Sequence, residues 1–152
     1  MTSATGRGMA RIMAVDLGDR RIGIAISDPT GTIASPAGFI ERRAGKRPPL
    51  TALLAKATEL EAAGFVVGLP LDADGMETPR TAEARRLAQE LAARTGLEAR
   101  LVDERFTTAA ALQAIKEMEG STRGRKGDVD SLAATLLLQH ALRLVENDEG
   151  AR

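Results

Sequence analysis

Hydrophobic and polar positions change rhythm twice along this 152-residue chain. From Arg21 to Ser27, Ile22, Ile24 and Ile26 alternate with small residues, a period of two that reads as a strand. The apolar run from Arg11 to Val15 is also of strand length, and the connection DLGDR, with Gly18 and Asp19, suits a tight hairpin turn. DPTG at Asp28 to Gly31 is a further turn signal, with proline at its second position, and leads to a third strand around Thr32 to Ile40. Three strands joined by short turns make an antiparallel meander.

The period then lengthens. Leu50, Leu53, Leu54 and Ala57, and later Ala84, Leu87, Ala88, Leu91 and Ala92, recur at three and four residues, which puts each set on one face of a helix. Between and after these helices lie Gly64 to Leu69 and Ala99 to Asp103, short apolar runs of strand length. Strands alternating with helices imply parallel pairing. The chain closes with a short helix near Thr107 to Met118, a polar loop EGSTRGRKG, and a helix from Val129 to about Glu146. The derived order is βββαβαβαα: an α/β fold with a five-stranded mixed sheet flanked by helices. A single domain over residues 9–146 is expected between flexible tails, 1–8 and 147–152. No internal repeat is visible.

Composition narrows the chemistry. Lys+Arg and Asp+Glu are equal at 21 each, so any nucleic-acid partner must be met by local basic patches rather than a global field. The chain has no cysteine, which excludes disulfides, thiolate zinc sites and cysteine nucleophiles. No stretch is apolar enough to span a membrane, and the start MTSATGRG lacks a signal-peptide hydrophobic segment, so a cytoplasmic location is expected. With three Phe and no Trp or Tyr, base-stacking platforms of the RRM or OB kind are not expected, and recognition should rest on backbone contacts and shape.

Three acids stand near strand ends or helix starts: Asp16, Glu104 and Asp130. On a chain with one histidine and no cysteine they are the best candidates for hard-metal chemistry on phosphate, because oxygen ligands suit Mg²⁺ or Mn²⁺. Each has a plainer reading. Aspartate often opens a turn, as Asp16 could. An acid in a first helical turn, as at Asp130, is favoured by the helix dipole by roughly 0.3–1 kcal/mol. Asp128 reads as the N-cap of that helix. Successive strand residues face opposite ways, so only one of Asp103 and Glu104 can point into a site.

Basic residues cluster in two loops. ERRAGKR (Glu41 to Arg47) reads as solvated, whereas TRGRKG ends within a few residues of Asp130, making Arg123, Arg125 and Lys126 candidate phosphate contacts, with Arg105 another. His140 lies about 15 Å from Asp130 along one helix at 1.5 Å per residue, too far for a catalytic base, and Ser131 with His140 fails as a nucleophile pair for the same reason. DADG in VGLPLDADG does not complete a calcium loop, since Pro70 and Thr81 stand where acids are needed; the loop could instead cover substrate.

Four segments in order, DLGDRRIGIAISD, VVGLPLDADG, VDERFTT and DSLAA, resemble the YqgF/RuvX family of Holliday-junction-resolvase-like proteins, named for nuclease activity on pre-16S rRNA. The resemblance runs from about Arg11 to Glu146. Asp72 stands where the family usually has Asn, and Asp128 is an extra acid in a stretch that is usually basic and apolar. The resemblance implies a ribonuclease H-like fold with strand order 3-2-1-4-5, and it selects Glu104 over Asp103. It implies catalytic, metal-binding roles for Asp16, Glu104 and Asp130. In that order two strands flanking a third lie about 9–10 Å apart, a gap that two metals ~3.5–4 Å apart could span. The expected function is a metal-dependent nuclease in 5′-end maturation of pre-16S rRNA. Its expected partners are RNA, with branched DNA as the near alternative, and the pre-ribosomal small subunit; the chain would be a monomer or weak homodimer. A nucleotide-binding module, which would need two such domains, and a non-catalytic assembly factor are the competing classes.

Overall fold

The computed structural model describes residues 10–43, 46–106 and 126–150, with residues 126–130 and 145–150 described as helix backbone only. Strands β1 (Ile12–Leu17), β2 (Arg21–Ser27) and β3 (Ala34–Glu41) form the meander; α1 (Leu50–Glu59), β4 (Gly64–Leu69), α2 (Pro79–Thr95) and β5 (Ala99–Asp103) follow. A single 3₁₀ turn, Glu104–Phe106, ends β5, and α3 (Lys126–Gly150) closes the chain. The sheet order is β3-β2-β1-β4-β5, antiparallel among β1, β2 and β3 and parallel from β1 to β4 to β5. The helix expected near Thr107 to Met118 lies outside the described residues.

Alternation along the strands divides the protein into two layers. Met13, Val15, Leu17, Ile22, Ile24, Phe65 and Val67 face α1 and α2, where Leu53, Leu87 and Leu91 close a core of large side chains. The residues between them, Ala14, Ala25 and Val66, face α3 with Val102 of β5. There Ala133 and Ala134, expected to let the helix approach the sheet closely, are fully buried.

Several boundaries differ from the sequence reading. β1 continues through Asp16 to Leu17 because Leu17 still pairs with Ile22, so Asp16 sits inside the ladder, opposite Gly23. α2 reaches beyond its apolar stripe because Thr78 and Thr81 form a reciprocal capping box, Pro79 opens the first turn, and Gly96 closes the end at φ 74°. α3 begins at Lys126 instead of Val129, which moves Asp128 off the N-cap and into the first turn, and its backbone stays helical to Gly150 through residues expected to form a tail.

α3 is stitched to the meander by two polar side chains. The register of β2 against β3 shifts between Gly23 and Ala25. At the irregularity Ser131 Oγ accepts from the Ala37 and Gly38 amides at 3.1 and 3.2 Å and donates to Ile24 O at 3.0 Å. One hydroxyl thus satisfies two strand amides on the edge strand. Eight residues on, Gln139 accepts from the Ala34 amide and donates to Thr32 O. Ser131 is fully used in this way and is not a nucleophile partnered by His140.

Candidate active site

Asp16 on β1 is level with Gly68 on β4, Gly68 pairs with Val102 on β5, and Glu104 opens the 3₁₀ turn two residues beyond Val102. Each follows by two residues a side chain buried under α3: Ala14, Val66 and Val102 respectively. Asp16 and Gly68 therefore emerge on the α3 face, at the carboxyl ends of the parallel strands, and Glu104 meets them from the turn that ends β5. Asp16 is 2% exposed. The central strand, β4, carries glycine between the two acids. A Cβ built on Gly68 would fall 2.5 Å from Glu104 Oε1 and 3.0 Å from its Cδ, so the Glu104 side chain lies across β4 in the space a larger residue would fill. Its carboxyl group hydrogen-bonds to Asp16.

Two carboxyl groups in one desolvated place cannot both ionise cheaply. Burial first, then the hydrogen bond to Asp16 and the Asp16 charge, push Glu104 up to about 9. Glu104 accordingly holds a proton near neutrality, and the two carboxyl groups share it through their hydrogen bond. The only opposing influence of note is the positive charge of Arg80. Arg80, in the first turn of α2, donates to Leu17 O at 3.2 Å, pairs with Asp19, and stands 3.7 Å from Glu83. A hard divalent cation, which the fold class implies, fits this donor set: it would displace the shared proton and relieve the repulsion between two oxygen donors.

Asp103 takes the opposite direction. Its carboxylate accepts from the Arg105 amide and from the Arg105 guanidinium, at 2.8 Å to Nη2, and these bonds hold its pKa below the usual carboxylate value. Glu104, not Asp103, is therefore the acid brought to Asp16. Arg105, expected as a phosphate contact, is in this ion pair, and its guanidinium covers Gly75, where a built Cβ would lie 3.1 Å from Nη1. The covered loop is self-supporting: Asp72 Oδ1 accepts from the Asp74 and Met76 amides, a role an asparagine oxygen at this position would fill equally well.

Asp130 stands in the second turn of α3, next to Ser131, whose hydroxyl is anchored to Ile24 O, one residue from the partner of Asp16. The Asp130 side chain lies outside the described residues. So do Arg123, Arg125 and the Lys126 side chain. Among the described residues no group of three or more His, Cys, Asp and Glu side chains is assembled to hold a metal. One residue of the first basic run departs from expectation, while Arg43, Lys46 and Arg47 are exposed. Arg42, read as part of a solvated run, has a side chain 4% exposed and grips Glu83 at 2.7 Å while donating to Gly18 O. Sequence reasoning also missed Gly68 and Arg80. Gly68 stands inside the VVGLPLDADG segment, and a glycine in the middle of a strand is a recognised sign of close approach; Arg80 carried no such sign.

The sheet and the acids at its strand ends define a ribonuclease H-like protein. In solved structures the same fold occurs in Thermus thermophilus RuvC bound to a Holliday junction substrate (TM-score 0.55, 12% identity, 91% of this chain and 96% of that one) and in RuvC alone (TM-score 0.53). Residues 10–144 match the RuvX family, described as Holliday junction resolvase, and the chain belongs to that family of resolvase-like nucleic-acid hydrolases. A relative from Clavibacter michiganensis is 42% identical over 130 residues, covering 86% of this chain and 81% of its own. One from Nocardioides is 44% identical over 137 residues, covering 86% and 85%. Both bear the name of a candidate pre-16S rRNA nuclease.

Proposed function

We propose that the chain is a divalent-metal-dependent nuclease that hydrolyses phosphodiester bonds of immature 16S rRNA, with Asp16, Glu104 and Asp130 as its catalytic and metal-binding set. The observation that carries this reading is the meeting of Asp16 and Glu104 across Gly68. A buried, proton-sharing carboxylate pair costs the fold stability and serves no packing purpose, as is typical of sites arranged for chemistry. When bound, Mg²⁺ or Mn²⁺ supplies charge neutralisation at the phosphate and lowers the pKa of water. Asp16 and Glu104 fix the place, and loss of the shared proton completes the donor set. Arg80 limits the repulsion between the acids, and Asp130, beside the anchored Ser131 on α3, completes the set in this reading. Arg123, Arg125 and Lys126 precede or open that helix and take phosphates of the flanking strand. Arg105 joins them where substrate draws it from Asp103. The names borne by the relatives support rRNA as the substrate.

The family description and the likeness to RuvC favour a second substrate, the four-way DNA junction. One experiment separates the possibilities: purified protein with Mn²⁺ or with chelator on single-stranded RNA, duplex RNA and a four-way DNA junction, beside Asp16→Asn and Asp130→Asn. Cleavage of RNA that needs metal and both aspartates is expected. Chelator-resistant cleavage, or an active Asp16→Asn protein, would sink the mechanism; preference for the junction would overturn the substrate alone.

A further inference from the structure

The α3 face of the sheet carries a second feature beside the acid pair. Phe39 on β3 pairs in register with Gly23 on β2, and Gly23 with Asp16 on β1, so one row of residues runs from a phenyl ring to the buried carboxylate. At about 4.8 Å per strand step the two backbones are roughly 10 Å apart. Arg21 precedes Gly23 by two residues on the same strand and shares its face. Its guanidinium lies over the Phe39 ring, 5.4 Å from the centroid.

Neither side chain is explained by packing. Phe39 is 40% exposed, whereas Phe65 in the core is 1% exposed. Arg42, Arg80, Arg85 and Arg105 are each engaged by a carboxylate. Arg21 has no such partner among the described residues, and its Nε, like that of the paired Arg42, is buried without a hydrogen bond. A desolvated donor on a cation is costly until an anion meets it. The ring beneath holds the guanidinium in place, so less side-chain freedom is lost when that anion arrives.

We propose that Arg21 and Phe39 form a holding subsite for the strand being cut: Arg21 takes a backbone phosphate and Phe39 stacks on an unpaired base, about two strand spacings from Asp16. The inference rests on the nuclease reading and deepens it, because an arginine-backed ring beside a phosphodiester-cutting pair matches the alternation of phosphate and base along one nucleic-acid strand. A base held in duplex offers no free face to the ring, so the subsite selects single-stranded or frayed substrate over continuous duplex.

The chain contains no tryptophan or tyrosine, so Phe39→Trp places one fluorophore at the subsite. In chelator, a short single-stranded RNA should quench this emission saturably, and the same RNA in duplex should quench it far less. By anisotropy, Phe39→Ala and Phe39→Leu should each weaken single-strand binding by roughly five- to a hundredfold. Arg21→Gln should weaken binding and reduce the salt slope by about one phosphate contact. Phe39→Leu binding as tightly as wild type, or quenching equal for single strand and duplex, overturns the subsite. Cleavage of the same RNA by wild type with Mn²⁺ is followed in parallel. Intact cleavage with an unresponsive Phe39→Trp protein removes the subsite alone, whereas wild type that neither binds nor cuts RNA removes the nuclease reading and the subsite with it.

Discussion

On the face covered by α1 and α2, the strands present Met13, Val15, Ile22, Ile24, Phe65 and Val67, and the helices answer with leucines; every one of these side chains is apolar and 1% exposed or less. On the face covered by α3, the strands present Ala14, Gly23, Ala25, Val66 and Gly68, then acids at their ends. Large apolar area stabilises the first face without regard to exact position. The second gives up area so that a helix can approach and a glutamate can cross a strand. Its order comes from directional contacts instead, such as the three hydrogen bonds of Ser131. On the proposed nuclease reading, stability and chemistry are thus divided between two sides of one sheet.

Exchanging a damaging substitution between the faces tests that division most severely. Phe65→Ala should cost ~3–5 kcal/mol of stability by leaving a cavity, measured by denaturant unfolding, while cleavage per folded molecule stays near wild type. Gly68→Ala should do the reverse. The three atoms nearest its Cβ are Oε1, Cδ and Cγ of Glu104, a flexible side chain, so unfolding should change by less than about 1 kcal/mol while cleavage falls at least about a hundredfold, since displacement from Asp16 breaks the pair. If Gly68→Ala stays active, Glu104 is not held where the chemistry needs it.

Ser131→Ala should cost about 1–3 kcal/mol, because the Ala37 and Gly38 amides lose their acceptor. A loss as small as that of an exposed serine would show that α3 is held by its apolar contacts alone.

The smallest effects are in the pH dependence. Glu104 is protonated in the fold up to about 9, against 4.5 for an ordinary glutamate, so the unfolded chain ionises first. Without metal, stability should therefore fall as pH rises through this window. Glu104→Gln should remove that slope and be more stable at pH 8 by on the order of 1 kcal/mol, after allowing for solvent screening. Mn²⁺ should raise the melting temperature of wild type, more at higher pH as the shared proton becomes easier to displace, and much less in Asp16→Asn or Glu104→Gln. Equal Mn²⁺ shifts in all three proteins would place the metal elsewhere.

The sequence alone determined the elements and much of their order. Periods of two and of three to four mark Arg21 to Ser27, Gly64 to Leu69, Ala99 to Asp103 and the faces of α1 and α2, because local alternation is set by which side chains must be buried. It also singled out Asp16 and Glu104, through their place at strand ends and their family resemblance. Tertiary structure decided which groups meet. Strand order put β4 between the two acids and made Gly68 the gap that Glu104 crosses, drew Arg42 out of a charged run into a buried pair with Glu83, and set Arg21 over Phe39 beside the site. Each of these contacts joins residues on different strands or helices, and periodicity reports only which face a residue takes, never what lies across from it.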